Sequence, residues 1–200
     1  AAAGAGVYRS EPLIAKRDSN VGLLAGAIAK RVQLEGACEV DAVGPAASYC
    51  AIKSAEIASR YLAEHLGGDR HLAMLPEKRM VSQRTAPSGR PTETAMLRLH
   101  LWPLPGAPDA TPPEVFVAKE TNPGAAAGLV AQCVEGRGSA SVSAMGEQAM
   151  SKALKALLIA QTYLAKMLDG RVLAAQVRNE KFLSGSDEKS RIVMVCAAGP

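Results

Sequence analysis

Aromatic residues are scarce in this sequence, and it has no long apolar run. Only 4% of its 200 residues are aromatic, which argues against the single-strand binding proteins that stack bases on a platform of rings. No run of about 18 uncharged apolar residues occurs, so we expect no membrane span. Apolar residues nevertheless make up 48% of the chain, which is enough for a core and too many for a disordered protein.

The cysteines and histidines are too scattered to suggest a metal site. The four cysteines form no C-x-x-C pair, and the three histidines do not stand near them at metal-ligand spacing. Four cysteines are also too few for a disulfide scaffold. We therefore expect partly buried thiols in a reducing compartment, which would be the cytoplasm or an organelle matrix after removal of a presequence.

Motifs that mark common enzyme classes are also missing from the sequence. It has no P-loop, no G-x-S-x-G, no Ser-His-Asp order and no G-x-G-x-x-G between a strand and a helix. We expect a protein that is not an enzyme and uses no cofactor. The net charge of +4, from 23 Lys and Arg against 19 Asp and Glu, permits a polyanionic partner without demanding one.

The chain contains a tandem repeat. A shift of 102 residues aligns Leu13–Leu62 with Val115–Leu164 without a gap and gives 17 identities in 50 positions. The proline-rich stretch between the two copies is typical of a stiff, extended linker. The sequence thus predicts a first repeat over residues 10–102, a linker over 103–113 and a second repeat over 114–198.

Each repeat has the same predicted order of elements. A short apolar strand precedes a helix that opens at Ser19-Asn20 or Thr121-Asn122. A half-buried strand and a longer helix follow, and two strands close the repeat. These closing strands are predicted at His71–Leu75, Ala95–Trp102, Arg171–Val177 and Arg191–Cys196. The pattern indicates an α+β fold with the helices on one face of a mixed sheet.

The first helix of each repeat carries glycines four residues apart. They are Gly22 and Gly26 in one repeat and Gly124 and Gly128 in the other. Because glycine costs roughly 1 kcal/mol relative to alanine inside a helix, its recurrence predicts a helix face that approaches another element closely.

Four segments carry a resemblance to a known family. They are Ser19–Ile28, Val40–Ala46, Ala51–Tyr61 and Gly146–Ala153. They resemble the Alba superfamily, and within it most closely the stage V sporulation protein S family. The resemblance implies two tandem Alba-like βαβαββ sandwich domains, dimerisation, and binding of DNA or RNA. Since a tandem copy can satisfy the pairing within one chain, we expect an intramolecular pseudo-dimer.

The candidate nucleic-acid contacts are basic or hydroxyl residues in the first loops, the second helices and the first hairpin. They comprise the first loops (Lys16, Arg17, Lys119), the second helices (Lys53, Ser151, Lys152, Lys155) and the first hairpin (Lys78, Arg79, Arg84, Arg90). The hairpin is the strongest electrostatic feature, because no acid interrupts the stretch between Glu77 and Glu93. Solvated surface charges remain the alternative for all of these residues.

Two functions remain open from the sequence. The first is a nucleic-acid-binding protein that contacts backbone and shape, with RNA slightly preferred to DNA because the basic charge is modest and aromatics are scarce. The second is a structural or assembly subunit of a larger complex, in which the Alba-like face has become a protein interface. Glu147, which stands where the resembled family carries a basic residue, and the loss of basic residues in repeat two favour the second.

Overall fold

The computed structural model describes residues 10–65, 70–83, 92–106 and 112–199. Repeat one contains β1 (Leu13–Ala15), α1 (Val21–Glu35), β2 (Cys38–Ala42), α2 (Pro45–His65), β3 (Arg70–Gln83) and β4 (Thr92–Pro105). Repeat two contains β5 (Val115–Val117), α3 (Pro123–Arg137), β6 (Ser139–Ala144), α4 (Glu147–Leu168), β7 (Val172–Ser184) and β8 (Asp187–Gly199). The order βαβαββ occurs twice, which confirms the predicted α+β fold.

Asparagine side chains start the first helix of each repeat, as predicted. The Asn20 side chain accepts a hydrogen bond from the backbone N–H of Leu23 at 3.0 Å, and Asn122 caps α3 in the same way. Both helices end at a glycine with positive φ, Gly36 at 76° and Gly138 at 80°. Glycine adopts this left-handed conformation without the steric cost of a Cβ.

The predicted close approach at the helical glycines is wrong for the residues that the structure describes. A Cβ added at Gly26 or Gly128 would meet nothing within 4 Å. A Cβ at Gly22 or Gly124 would meet only the Asn side chain that caps the same helix, at 3.4 or 3.2 Å. The glycine spacing therefore marks no contact with another element among the described residues.

The two repeats share one eight-stranded sheet in the order β1-β2-β4-β3-β7-β8-β6-β5. Within each repeat the two helical crossovers step in the same direction across the sheet. Right-handed crossovers then place both helices on the same face. In β2, Cys38, Val40 and Ala42 are buried beneath the helices, whereas Glu39 and Asp41 lie half-buried on the opposite face. We refer to this second face as the open face.

The repeats join through β3 and β7, which pair antiparallel over two residue pairs. Ala73 lies opposite Gln176, and Met74 lies opposite Ala175. On the helical side of the sheet, α2 packs against α4. This is the arrangement expected of an intramolecular pseudo-dimer.

Helix side chains satisfy the strand backbone where the β3–β7 ladder stops. The Ser59 hydroxyl accepts a hydrogen bond from the N–H of Leu72 at 2.9 Å. In repeat two, Gln161 Oε1 accepts from the N–H of Leu173 at 2.7 Å. Because an unpaired buried N–H would cost free energy, these two bonds stabilise the end of the ladder and fix each long helix on its strand.

The closing strands are much longer than predicted. The two strands of each hairpin run well past the predicted limits, and β3 and β4 have 14 residues each. Pro103 and Pro105, predicted to begin the linker, belong to β4. The strand accommodates them because β2 pairs with β4 only as far as Leu101, which leaves one edge of β4 free of ladder bonds beyond that point. The other element boundaries shift by about a residue.

Candidate nucleic-acid interface

A cavity of about 220 Å³ lies between the repeats. Its walls are the start of α2, the β3–β4 hairpin and one face of α4. We call it the inter-repeat groove. Among its lining residues are Ser48 from α2, Lys78 and Leu97 from the hairpin, and Ser151 and Lys155 from α4. Three candidates named from the sequence, Lys78, Ser151 and Lys155, thus come together here.

Lys78 and Lys155 are the cations of the inter-repeat groove. Both are exposed, and neither has a hydrogen bond or an ion pair with any residue within the described ranges. Lys78 lies opposite Leu97 in the ladder, and Leu97 lies opposite the buried Ala42. Lys78 therefore projects on the helical side of the sheet, towards α4, and the two cations meet only because the repeats dock.

The lower part of the groove is aliphatic. Leu97 and Leu158 are half-buried, and Leu154 is buried. The Ser48 hydroxyl is engaged, because it donates to the carbonyl oxygen of Gly44 at 2.9 Å. The groove therefore combines an apolar floor with a cationic rim, which suits an anion that carries an apolar group.

Arg79 does not join Lys78. Adjacent side chains of a strand point to opposite faces, and Arg79 Nε lies 3.0 Å from Glu77 Oε1. The expectation that the first hairpin carries only unopposed cations is therefore wrong at Arg79, whose charge Glu77 offsets. Arg84 and Arg90 lie outside the described residues.

The basic residues of the two first loops differ in their surroundings. Lys16 and Arg17 are exposed in the turn between β1 and α1. In repeat two, Lys119 Nζ lies 3.3 Å from Glu120 Oε1, so its charge is locally offset. Glu147 adds a further acid, since it lines the same surface depression as Lys119. The loop of repeat two is therefore less favourable to an anion than that of repeat one.

Lys53 and Lys152 lie on the long helices outside the groove lining. The Lys53 ammonium stands 5.3 Å from the centre of the Tyr49 ring, a contact that holds the cation close to its own helix. Lys152 is half-buried in the second turn of α4. Neither residue lines the groove, although Lys152 lies one turn before Lys155 on the same helix.

A charge network covers the open face of repeat one. Arg98 binds Asp41 through two hydrogen bonds of 2.6 and 2.7 Å and reaches Glu39 at 3.1 Å. His100 lies between Glu39 and Glu77, at 3.2 and 2.7 Å. The hydrogen bond from His100 and the nearby Arg79 hold the pKa of Glu77 below its usual range. Three carboxylates in this network make the open face a poor site for phosphate.

The four cysteines are free thiols, and three of them, Cys38, Cys50 and Cys196, are buried. Burial raises the pKa of Cys38 and Cys196 to about 12, so both are protonated at neutral pH. Within the described ranges, no group of three or more His, Cys, Asp or Glu side chains is placed to hold a metal ion. None of the described helices is both long enough and apolar enough to cross a membrane.

Sequence reasoning missed the aliphatic part of the groove. Ser151, Leu154, Lys155 and Leu158 are spaced i, i+3, i+4 and i+7, which places them on one helix face. That spacing was the available signal. The opposing residue Leu97 carried no comparable signal, because only the docking of the repeats brings it near α4.

Comparison with known proteins finds a match to a family model in both repeats. A family model described as "Stage V sporulation protein S" matches residues 12–84 and 114–175. The two segments fall in the two repeats and together span more than half of the chain, which confirms the resemblance and the tandem organisation. A search of curated proteins finds no match.

Proposed function

Because the chain belongs to the stage V sporulation protein S family, we propose that it binds the backbone of nucleic acid, with RNA slightly preferred to DNA. The observation that carries the proposal is the position of Lys78 and Lys155 on one groove, each from a different repeat and each without a partner among the described residues. Phosphates neutralised by such cations release counterions, which drives association. The proposal is one of binding without catalysis.

The second hairpin supports this choice of site by contrast. Lys181 Nζ lies 2.8 Å from Glu188, and Arg191 Nε lies 2.7 Å from Glu180. A cation already paired with a carboxylate gains less from a phosphate than an unpaired one does. The groove and the Lys16–Arg17 loop are therefore the stronger places for a polyanion.

Salt titration of binding tests the proposal. We expect the wild-type protein to lose affinity for generic RNA linearly in a log–log plot against salt. The variant K78A/K155A should bind more weakly and lower that slope by about 2, one unit for each lost phosphate contact. The matched control K181A/K189A removes the same charge from exposed positions of the second hairpin and should leave the slope nearly unchanged.

Two outcomes would contradict the proposal. If both double variants lowered the slope equally, net charge and not the groove would drive binding. If the wild-type protein bound neither RNA nor duplex DNA at low salt, the protein would not be a nucleic-acid-binding protein.

The second candidate function is that of an assembly subunit. Exposed apolar side chains favour it, since Leu23 and Leu34 on α1 are 76% and 74% exposed. Ile14 and Phe116, on the two edge strands of the sheet, are 66% and 63% exposed. Absence of nucleic-acid binding at low salt would make this candidate the better explanation of the Alba-like surface.

A further inference from the structure

The inter-repeat groove is too small for an extended ligand and too apolar for a bare phosphate. Its volume of about 220 Å³ lies below the range of about 300–1,000 Å³ that is typical of pockets for drug-sized ligands. A cavity of this size suits a single planar ring system. Phosphate alone would leave the aliphatic floor in contact with water, which is unfavourable.

The floor offers apolar contacts from both sides of the groove. Leu97 and Ala95 come from β4 on the helical side of the sheet, and Leu154 and Leu158 come from α4. Proteins that take a base out of a stack hold it between aromatic or apolar side chains. The two elements belong to different repeats and contribute to the floor from opposite sides, so a flat group can lie between them.

Polar groups stand at the rim, above this floor. The Ser151 hydroxyl has no hydrogen-bond partner among the described residues, and a hydroxyl can both donate to and accept from the edge of a base. Lys78 and Lys155 supply the positive charge that a phosphate next to that base requires. The chemistry of the lining therefore matches a nucleoside phosphate, with its base inward and its phosphate at the rim.

We propose that the inter-repeat groove binds one unpaired base of a single-stranded nucleic acid, with the adjoining phosphate held by Lys78 and Lys155. This inference rests on the proposed function and sharpens it. A base in a duplex is paired and stacked, so it must leave the stack at a free-energy cost before it enters the groove. The site therefore selects single strands over duplexes.

The test compares strands with and without bases. The probes are a short polyadenylate RNA, the same strand with abasic positions in its centre, and a duplex of the same length. Burial of one base against the aliphatic floor removes apolar surface from water, so we expect the intact strand to bind about tenfold more tightly than the abasic strand. A strand containing 2-aminopurine should also change its fluorescence on binding, a readout that needs no variant.

A pair of matched variants locates the effect. Ala95 lines the groove on β4 and is exposed, so A95L should fill the cavity without disturbing the core. A shift of 101 residues relates β3 to β7 and places Asn179 at the position of Lys78. Ala95 pairs with Met80, two residues beyond Lys78, and Ser190 pairs with Lys181, two residues beyond Asn179. Ser190 on β8 is therefore the counterpart of Ala95. We expect A95L to abolish the preference for the intact strand and S190L to retain it.

The outcomes separate this inference from the proposed function. If intact and abasic strands bound equally, and K78A/K155A still weakened both, the base site would be wrong and backbone binding would stand. If no strand bound at low salt, both would fail. Free AMP lacks the further backbone contacts, so it should shift the methyl resonances of Leu158 only at far higher concentration. Equal potency of AMP and the strand would assign the groove to a free nucleotide and overturn the proposal.

Discussion

The inter-repeat groove and its counterpart across the pseudo-twofold axis occupy equivalent places but differ in chemistry. Counterparts follow from the 102-residue shift in the helices and from a 101-residue shift between β3 and β7, whose burial alternates in the same way. The counterpart has Asn179 at the position of Lys78 in the inter-repeat groove, and it has Glu56 at the position of Leu158. Glu147 replaces Pro45. The counterpart therefore loses one cation and gains two carboxyl groups.

The difference shows what a fused pair gains over two identical subunits. In a symmetric dimer each substitution appears in both grooves, whereas in a tandem chain each groove changes independently. Glu56 also illustrates the structural cost of the change, since it is buried and pairs with Arg60 at 3.0 Å. The inter-repeat groove has the features of an anion site, whereas its counterpart position holds the ion pair of the buried Glu56 with the exposed Arg60.

The first prediction tests whether the two grooves contribute differently to RNA affinity, by reversing the charge of one groove at a time. K78E/K155E should weaken RNA binding by about 100-fold, because two phosphate contacts become repulsions. The counterpart variant K53E/N179E should weaken it by less than about threefold. Fluorescence anisotropy with a labelled RNA at fixed salt measures both. Equal losses would mean that long-range charge, and not the groove, determines affinity.

The second prediction compares the open face of the sheet in the two repeats. Arg98 is only 13% exposed and depends on Asp41, so D41A should destabilise the protein by about 2 kcal/mol by leaving the guanidinium with too few partners. Repeat two has Ser141, Ser143 and Val193 at the corresponding positions. The graft E39S/D41S/R98V/H100V should therefore cost less than D41A alone, since it removes charges together.

Urea unfolding measures both free energies. A graft that destabilised the protein more than D41A would show that the network contributes net stability and does not merely compensate buried charge.

The third prediction converts the counterpart into a groove like the first. E147Q/N179K removes one carboxylate and restores one cation, so we expect a second, weaker RNA site, about tenfold below the first in affinity. Native mass spectrometry or calorimetry should then give a stoichiometry of two short strands per chain. A stoichiometry that stayed at one would show that Glu56 and Tyr49 block the counterpart by shape.

The smallest expected effect concerns pH. The pKa of Glu77 is lowered from 4.5, first by the hydrogen bond from His100 and further by Arg79. A carboxyl with a depressed folded-state pKa stabilises the protein above its unfolded pKa, and this contribution is lost as the pH falls through the folded value. Wild-type protein should exceed E77Q slightly in Tm at pH 6, and the gap should close below about pH 4.5.

The effect is small because Glu77 is 40% exposed and solvent screens it. Repeat two has Arg178 at the corresponding position, so no second carboxyl contributes there. A gap that persisted unchanged at pH 3 would indicate that E77Q acts through packing.

Local patterns were sufficient to predict the elements but not their extent. Asn20 and Asn122 cap their helices through contacts within three residues, so sequence alone places these starts. The length of β4 depends instead on where β2 stops pairing with it, and that is a property of the sheet. Proline therefore suggested a linker at Pro103, although the strand continues there.

The site was only partly predictable for a related reason. Lys78 and Lys155 were named as separate candidates because each stands in a basic or repeated segment. They lie 77 positions apart in the chain, and no periodicity connects them. Arg79 was grouped with Lys78 because the sequence does not show that one strand position changes the face of the sheet and the partner of the charge.

The short ladder between β3 and β7 has a further consequence. Its two residue pairs hold the repeats together along with the packing of α2 on α4 and of each long helix on the closing strand of the other repeat, and the inter-repeat groove exists only while the repeats are docked. A ligand in the groove therefore binds the docked form alone and shifts the docking equilibrium by mass action, by about 2.7 kcal/mol at 100 times its Kd. Occupancy of the groove would in this way act as a reversible cross-link between two domains that the polypeptide itself joins only at one end.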